Sequence, residues 1–221
     1  MKKIICFILV ISVFMSLSTS AFAADISSNV STPDENMRVL YILTENIRVV
    51  APGSQIDEYL NAETDQEKNQ LLSKMKADPK AIITDINQGE LGFISVDSDD
   101  VSESIATPSN ERTTGKWVLD NFEIEPDQIM RISRSGGVKF TLEDGDILKI
   151  YLEFEGTRTF GVRTEDSTPT FLAGDYFTHE RAYHCDVVGL PETGQNRVFV
   201  YVKNVSAQEM VVLAGSYIRV Y

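Results

Sequence analysis

Hydrophobic positions along this chain follow two different periods, and the clearer one belongs to the second half. Between Ile147 and Glu155, Leu148, Ile150, Leu152 and Phe154 alternate with Lys149, Tyr151, Glu153 and Glu155. Alternation of this kind marks a strand with one buried face. Comparable runs cover Trp117–Ile124, Gln128–Ser133, Val138–Leu142, Thr157–Thr164, Phe171–Phe177, His179–Val188, Arg197–Lys203 and Met210–Tyr221. Arg134-Ser135-Gly136-Gly137 and Glu143-Asp144-Gly145-Asp146 supply turns between them, with glycines free to take positive φ. About eight or nine short strands at this spacing predict a sandwich of jelly-roll type.

The first half reads as helical. Thr32-Pro33-Asp34-Glu35 combines a Thr cap, a Pro at the first helical position and a Glu closing a capping box. Met37, Leu40, Tyr41, Thr44 and Ile47 then recur every three or four residues and predict a helix to Val50, which Pro52-Gly53 stops. Ser54 can cap a short helix carrying Ile56, Tyr59 and Leu60. Thr64-Asp65-Gln66-Glu67 is a second capping box, and Leu71, Leu72 and Met75 mark the apolar stripe of a helix ending before Asp78-Pro79. Ala81–Ile86 and Leu91–Val96 flank a polar turn and could pair as a hairpin.

Between Asp97 and Gly115 the composition turns to Asp, Ser, Thr, Pro, Asn and Glu, with little to bury, as in a linker. The predicted fold class is therefore α+β: a small helical N-terminal region followed by a C-terminal antiparallel β-sandwich of jelly-roll type. Its expected organisation is a signal peptide over 1–23, a helical region over 24–96, an acidic linker over 97–115 and the sandwich over 116–221.

The N-terminus changes the picture most. Lys2 and Lys3 precede a nearly unbroken apolar run, Ile4–Leu17, and Ala21-Phe22-Ala23 supplies the small-x-small pattern of a signal-peptidase site. The run is shorter than the ~20 apolar residues a membrane span requires. The expectation is a secreted protein with no membrane association after cleavage. Loss of Lys2 and Lys3 takes the formal charge from −13 to −15, which argues against nucleic acid and anionic membrane as partners. Cleavage also removes Cys6 and leaves Cys185 alone, read as a small buried hydrophobe in a monomeric protein.

No catalytic constellation emerges. Leu190-Pro191-Glu192-Thr193-Gly194 matches the pentapeptide that sortases cut, but no hydrophobic span and basic tail follow it. His179 and His184 stand five apart, whereas a zinc-protease helix needs four, and on a strand an odd spacing sends them to opposite faces. Glu180, His184 and Asp186 would share one face as a weak metal set, but a mixed polar strand is the better reading. Asp97-Ser98-Asp99-Asp100 opens like a calcium loop yet carries Ser102 where Gly is required. No metal and no cofactor is expected.

Aromatics remain. Trp117, Tyr176 and Tyr183, with Phe171 and Phe177, lie in or near strands with polar neighbours, a pattern compatible with sugar stacking. Trp117, Tyr176 and Tyr183 are the candidate ligand-binding residues. The function expected from sequence is non-enzymatic binding of a glycan or a protein partner outside the cell. The alternative is a structural or regulatory interaction protein whose N-terminal helices form a detachable pro-region. The export signal has a direct check: N-terminal sequencing of mature protein should begin at Ala24 or Asp25, and full-length chain in the membrane fraction would contradict it.

Overall fold

The computed structural model of the protein describes residues 37–86, 101–108, 115–143, 145–165, 171–189 and 196–221; for 107–108, 158–165, 171–173, 175–179 and 196 it describes the backbone alone. In chain order the elements are β1 (Met37–Ile42), β2 (Ile47–Pro52), α1 (Gly53–Leu60), α2 (Asp65–Ala77), β3 (Ile82–Asp85), β4 (Val101–Pro108), β5 (Lys116–Val118) and β6 (Phe122–Ile124). They continue with β7 (Ile129–Arg134), β8 (Phe140–Leu142), β9 (Leu148–Glu165), β10 (Phe171–Val188), β11 (Asn196–Asn204), β12 (Met210–Val212) and β13 (Tyr217–Val220).

The fold class predicted from sequence is corrected by this arrangement. There is no distinct helical N-terminal region; the described residues are mostly strand, with two helices, in two mixed sheets. Met37–Val50, expected as a helix, forms β1 and β2, antiparallel to each other around a short 3-10 turn at Leu43–Glu45, with Asn46 in the left-handed region at φ 54°. The sheets are not antiparallel throughout: β1 runs parallel to β10, and β4 parallel to β7.

Why β1 misleads is visible in its burial. Val39 and Tyr41 enter the main core, while Leu40 and Ile42 face a second cluster under the helices. A strand buried on both faces is a continuous apolar run, and periodicity alone does not separate it from a buried helix. The Val and Ile content of β1 and β2 suits the pleated surface better than the helix.

Of the two helices, α1 starts at Gly53, with Ser54 inside it rather than capping it, while α2 starts as its capping box predicts. Thr64 Oγ1 accepts from the Glu67 backbone N–H at 3.2 Å, and Glu67 Oε2 accepts from the Thr64 N–H at 3.1 Å, completing the capping box. Leu72 and Met75 of α2 join Ile56 and Tyr59 of α1 over Leu40, Ile42, Val49 and Ala51. Both helices thus cover one end of the outer face of the β2–β1 sheet.

The core lies on the opposite face of that sheet. Leu148, Ile150, Leu152 and Phe154 of β9 all point into it, as their alternation requires, together with Tyr183, Cys185 and Val187 of β10. Each of these two strands is 18 residues long. One edge of β9 pairs with β10; the other meets β13 at Leu148–Tyr151, β12 at Phe154 and β11 at Phe160–Glu165. From β13 the pairing passes to β5, β4, β7 and β11, which returns to β9. Where the partner of β9 changes, Ser216 Oγ accepts from the Glu153 backbone N–H at 2.9 Å, so no donor is stranded there.

Val101–Pro108, expected within a linker, is strand β4, and Ala106 is fully buried in the core. The predicted capping box at Thr32, the Leu91–Val96 strand and the Leu190–Gly194 loop lie outside the described residues, as does the signal peptide.

Because β1, β2 and β4 supply core side chains and sheet edges, a fragment of residues 113–221 should lose the cooperative thermal transition that the mature chain shows. Calorimetry of the two proteins side by side decides this; a cooperative melt of the fragment would mean that the second half folds alone.

Candidate functional site

Two surfaces carry chemistry. The first is a cleft of about 390 Å³ lined by Gly115, Trp117, Thr141, Glu143, Asp146, Val220 and Tyr221. Backbone hydrogen bonds frame it: Val220 N donates to Gly115 O at 2.8 Å, and Ile147 N to Tyr221 O at 2.8 Å. Gly115 has φ +88°, and a Cβ there would stand 2.3 Å from the Val220 carbonyl oxygen, so only glycine permits this approach. The turn leading into β9 is held by Asp146 Oδ2, which accepts from the Glu143 N–H at 2.7 Å.

Trp117 forms one wall and is half-buried. Its ring meets Phe140 of the core edge-on at 5.2 Å, and the Arg134 guanidinium lies 5.2 Å over it. Tyr221, more exposed, has the Arg219 guanidinium at 4.6 Å from its ring centre. Two aromatic residues, a threonine and two acidic residues therefore line one opening.

The second surface is the uncovered part of the outer sheet face beyond the helices. Strand register lays two rows across it. In one, Leu40 faces Asp186, Asp186 faces Lys149, Lys149 faces Arg219 and Arg219 faces Lys116. In the other, His184 faces Tyr151, Tyr151 faces Tyr217 and Tyr217 faces Val118. The Tyr151 and Tyr217 rings stack at 5.4 Å, His184 meets Tyr151 edge-on at 5.7 Å, and Lys116 Nζ lies 5.1 Å over Tyr217. Cross-strand aromatic pairs of this kind stabilise a sheet by about 0.2–1 kcal/mol each.

Where this face meets the helices, an ion-pair group closes it. Arg38 of β1 pairs with Asp186 of β10 and, at 2.5 Å, with Asp57 of α1. Asp186 is fully buried and Arg38 is 8% exposed. Lys149 Nζ stands 3.4 Å from Asp186 Oδ1, close enough for charge but without a firm hydrogen bond. Burial pushes the Asp186 carboxyl up while Arg38 and Lys149 pull it back. Burial opposes the Arg38 charge, yet Asp186 and then Asp57 outweigh it and raise its pKa.

His184 sits beside this group with Nε2 buried and without a hydrogen-bond partner among the described residues. Burial lowers its pKa to about 4, helped by the Arg38 and Lys149 cations. Asp186, which strand alternation puts on the same face as His184, is committed to those same two cations. No group of three or more His, Cys, Asp or Glu that could hold a metal occurs among the described residues.

The sequence candidates scatter. Trp117 lines the cleft, Tyr183 is 2% exposed inside the core, and the side chain of Tyr176 lies outside the described residues. Cys185 is a fully buried free thiol. Sequence reasoning passed over Tyr151, Tyr217 and Arg219, although the polar positions of the Ile147–Glu155 alternation already placed Tyr151 opposite the core.

No family model matches the chain, and no curated protein matches it. Among solved structures it is similar to that of Aeromonas hydrophila PliG, a periplasmic lysozyme inhibitor of g-type lysozyme, at 7% identity and a TM-score of 0.33. The match covers 55% of this chain and 99% of that one. Among the described residues, no helix is long and apolar enough to cross a membrane.

The depressed His184 pKa fixes the sign of a pH effect. Unfolded, the imidazole takes its proton near 6.5; folded, near 4. Between these values the unfolded chain binds the proton that the folded chain refuses, so stability falls as pH is lowered through that window. The loss should be on the order of 2–3 kcal/mol. Denaturant titrations of wild type and His184→Gln from pH 7 to 4 should show the excess loss in wild type only; parallel curves would remove His184 from the account.

Proposed function

We propose that the protein is an exported, non-catalytic binding protein, and that its cleft beside Trp117 holds a neutral saccharide. The observation that carries this reading is the company Trp117 keeps: Tyr221, Thr141, Glu143 and Asp146 around one opening of about 390 Å³. Openings of this size take small ligands. Sugar rings present C–H groups to aromatic surfaces and hydroxyl donors to carboxylates, and the cleft supplies both. Glu143 and Asp146 repel an anion, and the chain's net −13 charge adds to that. Trp117 serves as a wall fixed to the core by Phe140, with Arg134 over its ring, rather than as a free-standing platform.

Export rests on the basic start, the apolar run and Ala21-Phe22-Ala23. Absence of enzymatic activity rests on the lack of a nucleophile–base pair in the sequence and on the commitment of Asp186 to Arg38 and Lys149.

Calorimetric titration of the mature protein with a panel of purified neutral oligosaccharides tests the reading. Trp117→Ala should cost about 3 kcal/mol of stability, so Glu143→Gln is the cleaner probe. Glu143 is exposed, and its substitution should leave stability within about 0.5 kcal/mol. Binding should fall roughly tenfold with the loss of one charge-assisted hydrogen bond. A protein that binds no saccharide, or one whose affinity survives both substitutions, overturns the assignment.

A further inference from the structure

Resting on the cleft reading, we infer that Arg134 is a positioning residue of that site. Its guanidinium covers one face of the Trp117 ring and holds the ring still, so that a saccharide stacks on the opposite face only. Arg134 ends β7, and the turn into β8 pins its backbone. Its N–H donates to the Val138 carbonyl at 2.7 Å, and its own carbonyl accepts from Gly137 at 3.0 Å and from Val138 at 3.2 Å. Gly136 and Gly137, at φ +80° and +72°, let the chain reverse that tightly.

Strand register brings the two side chains to one face. On β4, Ala106 faces Arg134 of β7, and Pro108 faces Trp117 of β5. Residues two apart on a strand share a face, and Ala106 is buried in the core. Arg134 thus continues the inward-facing set of Met130 and Ile132, at the rim where the core gives out. A long cationic side chain suits that rim, with its stem on apolar surface and its head over an aromatic ring. Arg131, on the other side of the same strand, pairs with Glu103 at 3.3 Å. Among the described residues no carboxylate pairs with Arg134, and what it lies on is Trp117, at 5.2 Å. Phe140 meets the same ring edge-on at 5.2 Å. Trp117 lines the cleft but Arg134 and Phe140 do not, so the cleft takes the ring from a side those two leave open. A flat guanidinium keeps an indole in plane better than a flexible ammonium does. A wall already fixed has less freedom to lose when a ligand arrives. Arg134 touches no ligand in this scheme and acts through Trp117.

Trp117 is the only tryptophan of the chain, so its fluorescence reports on this ring alone. The test uses mature full-length wild type, Arg134→Ala, Arg134→Lys and, as a control on the same strand, Arg131→Ala, each checked for a cooperative melt. Arg134→Gln replaces Arg134→Ala if the latter does not melt cooperatively. Without ligand, Arg134→Ala should be quenched more readily by acrylamide, a neutral quencher indifferent to the lost charge, and its tryptophan near-ultraviolet circular dichroism should weaken. In calorimetric titration with cellotetraose, maltotetraose and chitotetraose, the affinity of wild type should drop roughly two- to fivefold in Arg134→Ala, as one exposed cation–π contact implies. Arg134→Lys keeps a cation over the ring and should recover part of both losses. Arg131→Ala, whose guanidinium lies over Phe199, should match wild type. Unchanged quenching in Arg134→Ala, unchanged affinity beside increased quenching, equal losses in Arg134→Lys and Arg134→Ala, or the same losses in Arg131→Ala would each overturn the inference. Wild type that binds none of the sugars ends the cleft reading and this one with it; wild type that binds while Arg134→Ala binds as well ends this one alone.

Discussion

A guanidinium shared between two carboxylates ties three elements of this molecule together. Arg38 reaches from β1 to Asp57 on α1 and to Asp186 on β10, and Asp186 is held from its other side by Lys149 of β9. Desolvating such charges is costly, and removing one partner of a buried pair strands the other at about 3–5 kcal/mol. The group therefore acts less as a source of stability than as a condition on geometry. Only when β1 lies parallel to β10 in the observed register do the charges meet. That register also decides where the helices sit, because Leu40 and Ile42, on the same face as Arg38, form the floor of the helix-covered cluster. The boundary between covered and open sheet is thus set at the Arg38–Asp186 line.

Much of the second half was legible because its strands bury one face. The alternation from Ile147 to Glu155 placed every core residue of that stretch correctly, and the capping box at Thr64 and Glu67 located α2. Legibility failed where both faces of a strand are buried, as in β1, since Val39-Leu40-Tyr41-Ile42 has no polar beat to count. It failed again at β4, where Ser102, Glu103 and Ser104 look unburiable. There the polar atoms are used by neighbours: Gln128 donates to Ser102 Oγ at 2.5 Å, and Ser133 Oγ to Glu103 at 2.6 Å. Such pairings depend on residues nearly thirty positions away and leave no local trace.

The candidate sites divide along the same line. Trp117 could be noticed as a large residue after a polar stretch, but only the close approach of Gly115 to Val220 and the turn at Glu143 and Asp146 make a cleft beside it. The Tyr151–Tyr217 surface is assembled by register between two strands, with a third contributing His184. A tyrosine in a sequence says nothing of which tyrosine will stand opposite it. Sheet faces are written across the chain, whereas sequence patterns are read along it.

The parallel pairing of β1 with β10 has a bearing on time. Arg38 and Asp186 are separated by 148 positions, so β1, which finds β2 on one edge within a few residues, lacks a partner for its other edge until nearly the whole polypeptide has been made. Closing a loop of that span must come before its contacts can repay it, which slows completion of the sheet. A chain built this way stays pliant while it is being synthesised. The strands made late in the chain then fasten the first ones in place.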